Sequence, residues 1–224
     1  MLTKTNIKTS SKEIYDLVKH LPEGKNTLNE PTGKFFYDPW QLKSEWQGTA
    51  LDDLLKQIPD HGEVRVIVLK PGESYFAHAD IDDRYHLTLD AEQSYLIDIE
   101  NEKMYPTIPD DTVYLMNTGV LHTASNYGYK NRYQLVIRKR LDSTNELYES
   151  VLVMMSVKDP VYNLRYLFDS SFSRLLNRLA KEECISNFDR INETTIKFSL
   201  EKENITELLK MQQMCGFKIE ILYG

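Results

Sequence analysis

The feature that most limits the fold lies between Glu63 and Val157. Short runs rich in β-branched and aromatic residues recur there at near-regular spacing, each closed by turn residues. The runs are Glu63–Lys70, Ser74–Asp80, Tyr85–Asp90, Tyr95–Ile99, Lys103–Ile108, Thr112–Met116, Leu121–Ser125, Tyr133–Lys139 and Val151–Val157. Pro71-Gly72, Pro109-Asp110-Asp111, Asn117-Thr118-Gly119 and the stretch from Asn126 to Asn131 separate several of them. Many short strands in succession point to a sandwich or a barrel.

The flanks have a different pattern. Ser11 is placed to cap a helix through Leu21, with Ile14, Leu17 and Val18 on one face. A loop follows from Pro22 to Trp40, then a short helix over Ala50–Ile58 that ends before Pro59. In the last third, Leu164, Phe168, Phe172, Leu175, Leu176 and Leu179 keep a helical period. Thr194–Leu200 reads as a strand, Asn204–Met214 as a helix ended by Gly216, and Phe217–Tyr223 as a strand. The expected organisation is a β domain over residues 1–142 with an N-terminal helical region. Its last strand can extend to 157. A small helical and α/β module then covers 158–224, and Asp142 to Asn145 reads as a hinge.

Composition narrows the partners. Hydrophobic residues make up 41% of the 224, enough to bury a core. A net charge of −7 argues against nucleic acid or an anionic membrane face, since phosphate contacts need clustered Lys and Arg. The one dense basic run, Arg138-Lys139-Arg140, reads as a solvated strand end. Cys184 and Cys215 are far apart in sequence and are expected to be free thiols in a reducing, cytoplasmic setting. The polar stretch from Met1 to Ser10 does not read as a signal peptide, and no apolar run approaches a membrane span.

Chemistry concentrates around His78. In a strand, residues i and i+2 point to one face, so His78 and Asp80 project together. An imidazole and a carboxylate side by side are two corners of the two-histidine, one-carboxylate set that leaves positions open on iron. His122, just past the turn at Asn117 to Gly119, supplies the third. Arg132 follows ten residues later. A hairpin turning near Gly128 would put it on the strand next to His122, where its planar fork suits a carboxylate.

The stretch from about Val64 to Arg138 resembles the 2-oxoglutarate-dependent oxygenases of the aspartyl/asparaginyl β-hydroxylase and cis-proline-hydroxylase type. The residues that carry the likeness are Pro71-Gly72, His78-x-Asp80, Arg84-x-His86-Leu87, Asp111, His122 and Arg132. The resemblance implies a double-stranded β-helix (a jelly roll) with N-terminal helices and a small C-terminal α/β module. It implies iron(II) on His78, Asp80 and His122, and 2-oxoglutarate as cosubstrate with its far carboxylate on Arg132. Arg84 and His86 would stand near the carboxylate that chelates the metal. The substrate would be an amino acid, free or within a peptide or protein, hydroxylated at a C–H with dioxygen. A hydroxyl usually joins the arginine, and Tyr75, Thr88 and Tyr95 are the candidates here.

Two other readings remain open. His122-Thr-Ala-Ser-Asn126 resembles the second motif of a cupin, which would make the chain a metal enzyme working without 2-oxoglutarate. The third reading is a non-catalytic jelly-roll binding protein. Bland roles are also available for single residues. These are a strand-edge ion pair for Arg132, a satisfied buried hydrogen bond for His86, and a solvated turn for Asp82 and Asp83.

Overall fold

The computed structural model describes residues 1–33, 39–140, 147, 149–157, 170–192, 194–214 and 217–222. The protein is mainly β, with several antiparallel sheets. It divides into two compact units, one made of Met1–Thr32, Pro39–His78 and Asp82–Lys139 and the other of Gly33, Ala79–Ile81 and the described chain from Arg140 onward.

The first unit begins with β1 (Leu2–Lys8), α1 (Ser11–Val18), β2 (Gly24–Thr27), β3 (Asn29–Pro31), β4 (Trp40–Leu42) and α2 (Ala50–Leu55). It continues with β5 (His61–Leu69), β6 (Arg84–Asp90), β7 (Ser94–Asp98), β8 (Lys103–Pro106), β9 (Thr112–Met116), β10 (His122–Asn126) and β11 (Arg132–Lys139). Six strands form one sheet in the order β1-β9-β6-β11-β5-β2, and three form another in the order β10-β7-β8. β3 and β4 make a small ribbon of their own.

Alternation gives the six-stranded sheet two unlike faces. Val64, Val66 and Val68 of β5, Leu87 and Leu89 of β6, Val113 of β9, and Leu135 and Ile137 of β11 pack into one apolar core. Ile14 and Val18 of α1 and Leu51, Leu54 and Leu55 of α2 complete that core. The opposite face carries Glu63, Arg65, His86, Thr88, Arg132 and Gln134, all buried. On the three-stranded sheet, Leu96 and Ala124 pack with Met116 of β9 and Tyr75. The two sheets therefore enclose an interior whose six-stranded wall is polar and charged.

Several expectations shift in detail. Ser10, not Ser11, caps α1, its hydroxyl accepting the Glu13 N–H at 3.2 Å, and the helix stops at Val18. The Ser11 N–H goes instead to Asp111 Oδ1 at 2.7 Å. The expected loop from Pro22 to Trp40 contains β2 and β3, and β1 was not expected. Ser74–Asp80 is not a full strand but joins β10 through isolated bridges at Ser74–Ser125 and His78–His122. β10 and β11 are not hairpin neighbours: β10 pairs with β7, while β11 lies between β5 and β6. The turn between them crosses from one sheet to the other. Asn126 holds it by donating to the Leu69 and Lys130 carbonyls, both at 2.9 Å. Gly128 belongs there because a Cβ would collide with the Glu92 carbonyl.

The second unit contains β12 (Ser150–Val157), α3 (Ser170–Lys181), β13 (Ile185–Asn192), β14 (Thr195–Glu201), α4 (Ile205–Met214) and β15 (Phe217–Leu222). The strands form one antiparallel sheet in the order β13-β14-β12-β15. With a helix after β12 and another after β14, this is the split βαβ arrangement. β14 alternates half-buried and buried residues, and Ile196, Phe198 and Leu200 meet Leu175, Leu176 and Leu179 of α3 in a core of its own. Leu164, Phe168, Gly216, Cys215 and the expected hinge from Asp142 to Asn145 lie outside the described residues. Cys184 is a free thiol. Among the described residues no helix is long and apolar enough to cross a membrane.

Candidate metal centre

The segment from Gly72 to His78 runs antiparallel to β10. His78 and His122 face each other across it and exchange both backbone hydrogen bonds, each at 2.9 Å. Their rings approach to 4.5 Å between centroids. Asp80 completes the group: one ligand atom from each of His78, Asp80 and His122 lies within 4.8 Å of the others. His122 is buried and the other two are half-buried.

Both imidazoles are oriented by the same device. His78 Nδ1 lies 2.8 Å from the Phe76 carbonyl, and His122 Nδ1 lies 2.8 Å from the Val120 carbonyl. A carbonyl only accepts, so each Nδ1 carries the proton and each Nε2 keeps its lone pair. This is how metal-ligating histidines are commonly held. Two imidazole nitrogens and one carboxylate, with no thiolate, suit a first-row divalent ion with open positions.

Arg132 is the next residue that the sequence singled out. It begins β11 on the polar face of the six-stranded sheet and is only 2% exposed. Among the described residues its hydrogen bond is to Gln134 Oε1 at 3.1 Å, and Nε has no partner. Burial brings its pKa down to about 10, with Tyr75 acting in the other direction. Arg132 is therefore not at an exposed strand edge, and among the described residues no carboxylate pairs with it. Gln134 also accepts from the Thr88 hydroxyl at 3.2 Å, so the amide links two strands behind the guanidinium. The spacing Arg132-x-Gln134 puts both on one face, which the sequence could have disclosed.

No protein-family model matches the chain, and no curated protein matches its sequence significantly. The reading of the site therefore depends on its own geometry.

His86 is buried on the same face as Gln134, and among the described residues neither ring nitrogen has a hydrogen-bond partner. The satisfied hydrogen bond expected of a bland core histidine is not there. Burial pushes its pKa well below the ordinary value, and Arg132, Arg84, His122 and Arg65 act in the same direction. It stands neutral within reach of both the arginine and the metal group. Arg84, two residues earlier on β6, lies 3.9 Å from Asp82.

The three hydroxyls considered for Arg132 differ in their surroundings, and among the described residues Tyr75 is the one not committed to another side chain by a hydrogen bond or ring contact. Its ring packs into the interior beside Leu96 and Ala124. Burial raises its pKa while Arg132 and Arg65 oppose the rise, which places the phenol within electrostatic reach of the guanidinium. The Thr88 hydroxyl is committed to Gln134, and the Tyr95 ring lies against Tyr127.

Asp82 is not a solvated turn. It is 3% exposed and is gripped by Arg138, Nε donating to Oδ2 at 2.7 Å and Nη2 to Oδ1. Burial would raise its pKa, but Arg138 and then Arg84 and Arg65 outweigh this and hold it low. Arg138 is accordingly not part of a solvated strand end.

Proposed function

We propose that the protein is an iron(II)- and 2-oxoglutarate-dependent oxygenase built on a double-stranded β-helix. The observation that carries this reading is the presence of two features together: a His78, Asp80 and His122 group that could hold a metal ion, and Arg132, buried with no carboxylate partner among the described residues. A buried cation without a carboxylate is costly, and an anionic ligand removes that cost. A metal group alone would suit a cupin as well. In the cupin reading Asn126 would matter at the site, but its side chain is used in holding the turn.

The division of labour follows from the residues. His78, Asp80 and His122 would hold the metal. Arg132, backed by Gln134 and Thr88 and joined by the Tyr75 hydroxyl, would hold the far carboxylate of the ketoacid. Neutral His86 and Arg84, both on β6, would serve the near end. Iron(II) with 2-oxoglutarate supplies the oxidation of a substrate C–H by dioxygen, with loss of carbon dioxide and formation of succinate. The protein supplies orientation and a largely desolvated interior. The substrate class this reading carries is an amino acid, free or within a peptide.

The test is the visible spectrum of the iron(II)-loaded protein titrated with 2-oxoglutarate without oxygen. A weak charge-transfer band is expected. Arg132→Ala should weaken ketoacid binding by roughly thirty-fold to a few thousand-fold, the equivalent of about 2–5 kcal/mol for truncating one partner of a buried charge pair. Arg132→Lys should recover only part, because an ammonium lacks the fork. No band at saturating ketoacid with iron bound would refute the oxygenase reading and return the cupin.

A further inference from the structure

We propose that Asp82, held by Arg138 and Thr118, is a positioning residue that fixes the Asp80 carboxylate against the two histidines and so sets metal affinity; this rests on the metal-centre reading above. Asp82 lies two residues beyond Asp80, where the chain turns to enter β6. Its carboxylate is held at both oxygens by Arg138 of β11. Its backbone carbonyl accepts the Thr118 hydroxyl at 2.7 Å. The next residue is fixed as well: Asp83 Oδ1 accepts the Thr118 N–H at 3.3 Å, and the Asp83 carbonyl accepts the Lys139 N–H at 2.9 Å.

Thr118 gives this cluster its bearing on the metal. It is fully buried, four residues before His122, in the turn that delivers that ligand to β10. One cluster thus ties together the stretch that follows Asp80, the approach to His122, and the strand that begins at Arg132. A carboxylate on a bare loop would sample many positions. Here the chain two residues on is clamped by a two-point, charge-assisted contact, which restricts both distance and angle. Supports of this kind act through the ligands they orient, and their loss typically lowers metal affinity about 10–100-fold.

The probe is Co(II), titrated anaerobically into the full chain and read by its visible d–d bands. Asp82→Asn keeps the shape and removes the charge. It is expected to bind Co(II) about 10–100-fold more weakly than the wild type, with altered bands. Thr118→Val, which removes only the hydroxyl, should shift both readouts in the same direction by less. Leu54→Ala, in the apolar core on the far face of the sheet, lowers stability without touching the cluster and should leave affinity and bands unchanged. The proposal fails if folded Asp82→Asn binds Co(II) as the wild type does, or if Leu54→Ala reproduces its loss. Should Asp82→Asn not fold, Thr118→Val and Arg138→Lys decide by the same criterion. A wild-type chain that takes up no Co(II) would refute the metal centre itself, a separate outcome from wild-type binding left intact in the variants.

Discussion

A histidine offered to a metal ion must present one particular nitrogen, and for His78 and His122 the backbone makes the choice. Each ring donates Nδ1–H to the carbonyl two residues before it, Phe76 for His78 and Val120 for His122. The Phe76 ring itself is 95% exposed. Phe76→Ala should therefore leave iron(II) affinity unchanged, whereas His78→Ala or His122→Ala should abolish stoichiometric binding in the same titration. A tenfold loss in Phe76→Ala would mean the ring takes part. Residues of this kind were partly legible in the sequence. His78-x-Asp80 declares itself by spacing alone, whereas the hairpin that was expected to set Arg132 beside His122 does not exist, since β10 and β11 lie in different sheets. Asp82 did not declare itself, because its partner Arg138 is 56 residues away and an isolated Asp-Asp pair looks like any exposed turn. Tyr75 could not be separated from Thr88 and Tyr95 until the hydroxyl of one was seen committed and the ring of the other engaged.

At the scale of elements, most β strands from β5 to β12 follow runs visible in the sequence, because an alternating apolar pattern is forced wherever one face is buried. β1 escaped because only Leu2 and Ile7 are apolar in it, and it is anchored through pairing with β9 and the Thr5 hydroxyl on the Val113 carbonyl. β13 escaped because its register shifts twice against β14 and breaks the alternation. The segment beside β10 contains a further irregularity. Ser74 opposes Ser125 and His78 opposes His122, so four steps on one side meet three on the other. Residues three apart on a regular strand face opposite ways; the extra residue restores parity, and Tyr75 and His78 both look inward. Deleting Ala77 should therefore preserve metal binding, while inserting a residue between Thr123 and Ala124 should destroy it; iron content of the two purified variants decides. The charged face makes a separate prediction. Burial works against ionisation of Glu63, but Arg65, Lys25 and Arg138 outweigh it and bring its pKa down to about 2. Its stabilisation is thus complete above its ordinary value of 4.5 and disappears as pH falls from there toward about 2. Glu63→Gln should cost on the order of 3 kcal/mol at pH 7, and the gap to wild type in urea unfolding should narrow below pH 4.5 and close only as pH falls to about 2.

Among the described residues the two larger hydrophobic cores share no buried residue, one under the six-stranded sheet and one inside the split βαβ unit, and a smaller cluster gathers Leu96, Met116 and Ala124. The helical period and three of the strands of the second unit, β12, β14 and β15, were visible in the sequence, although β12 was expected as the last strand of the first domain. Its sheet order was not, because pairing β12 with both β14 and β15 depends on contacts that no local pattern encodes. Phe198 is fully buried at the centre of that core and stacks on Phe188. Phe198→Ala should destabilise this unit by about 3–5 kcal/mol, visible in thermal denaturation. The metal group has a different dependence on the chain. His78 and His122 are 44 positions apart, and the bridge between them closes only after β6 to β9 have been laid down. Contacts of such separation are slow to form. Metal capture during refolding is accordingly a clock: an ion added at time zero should be taken up with the late, long-range phase, never with the early local one.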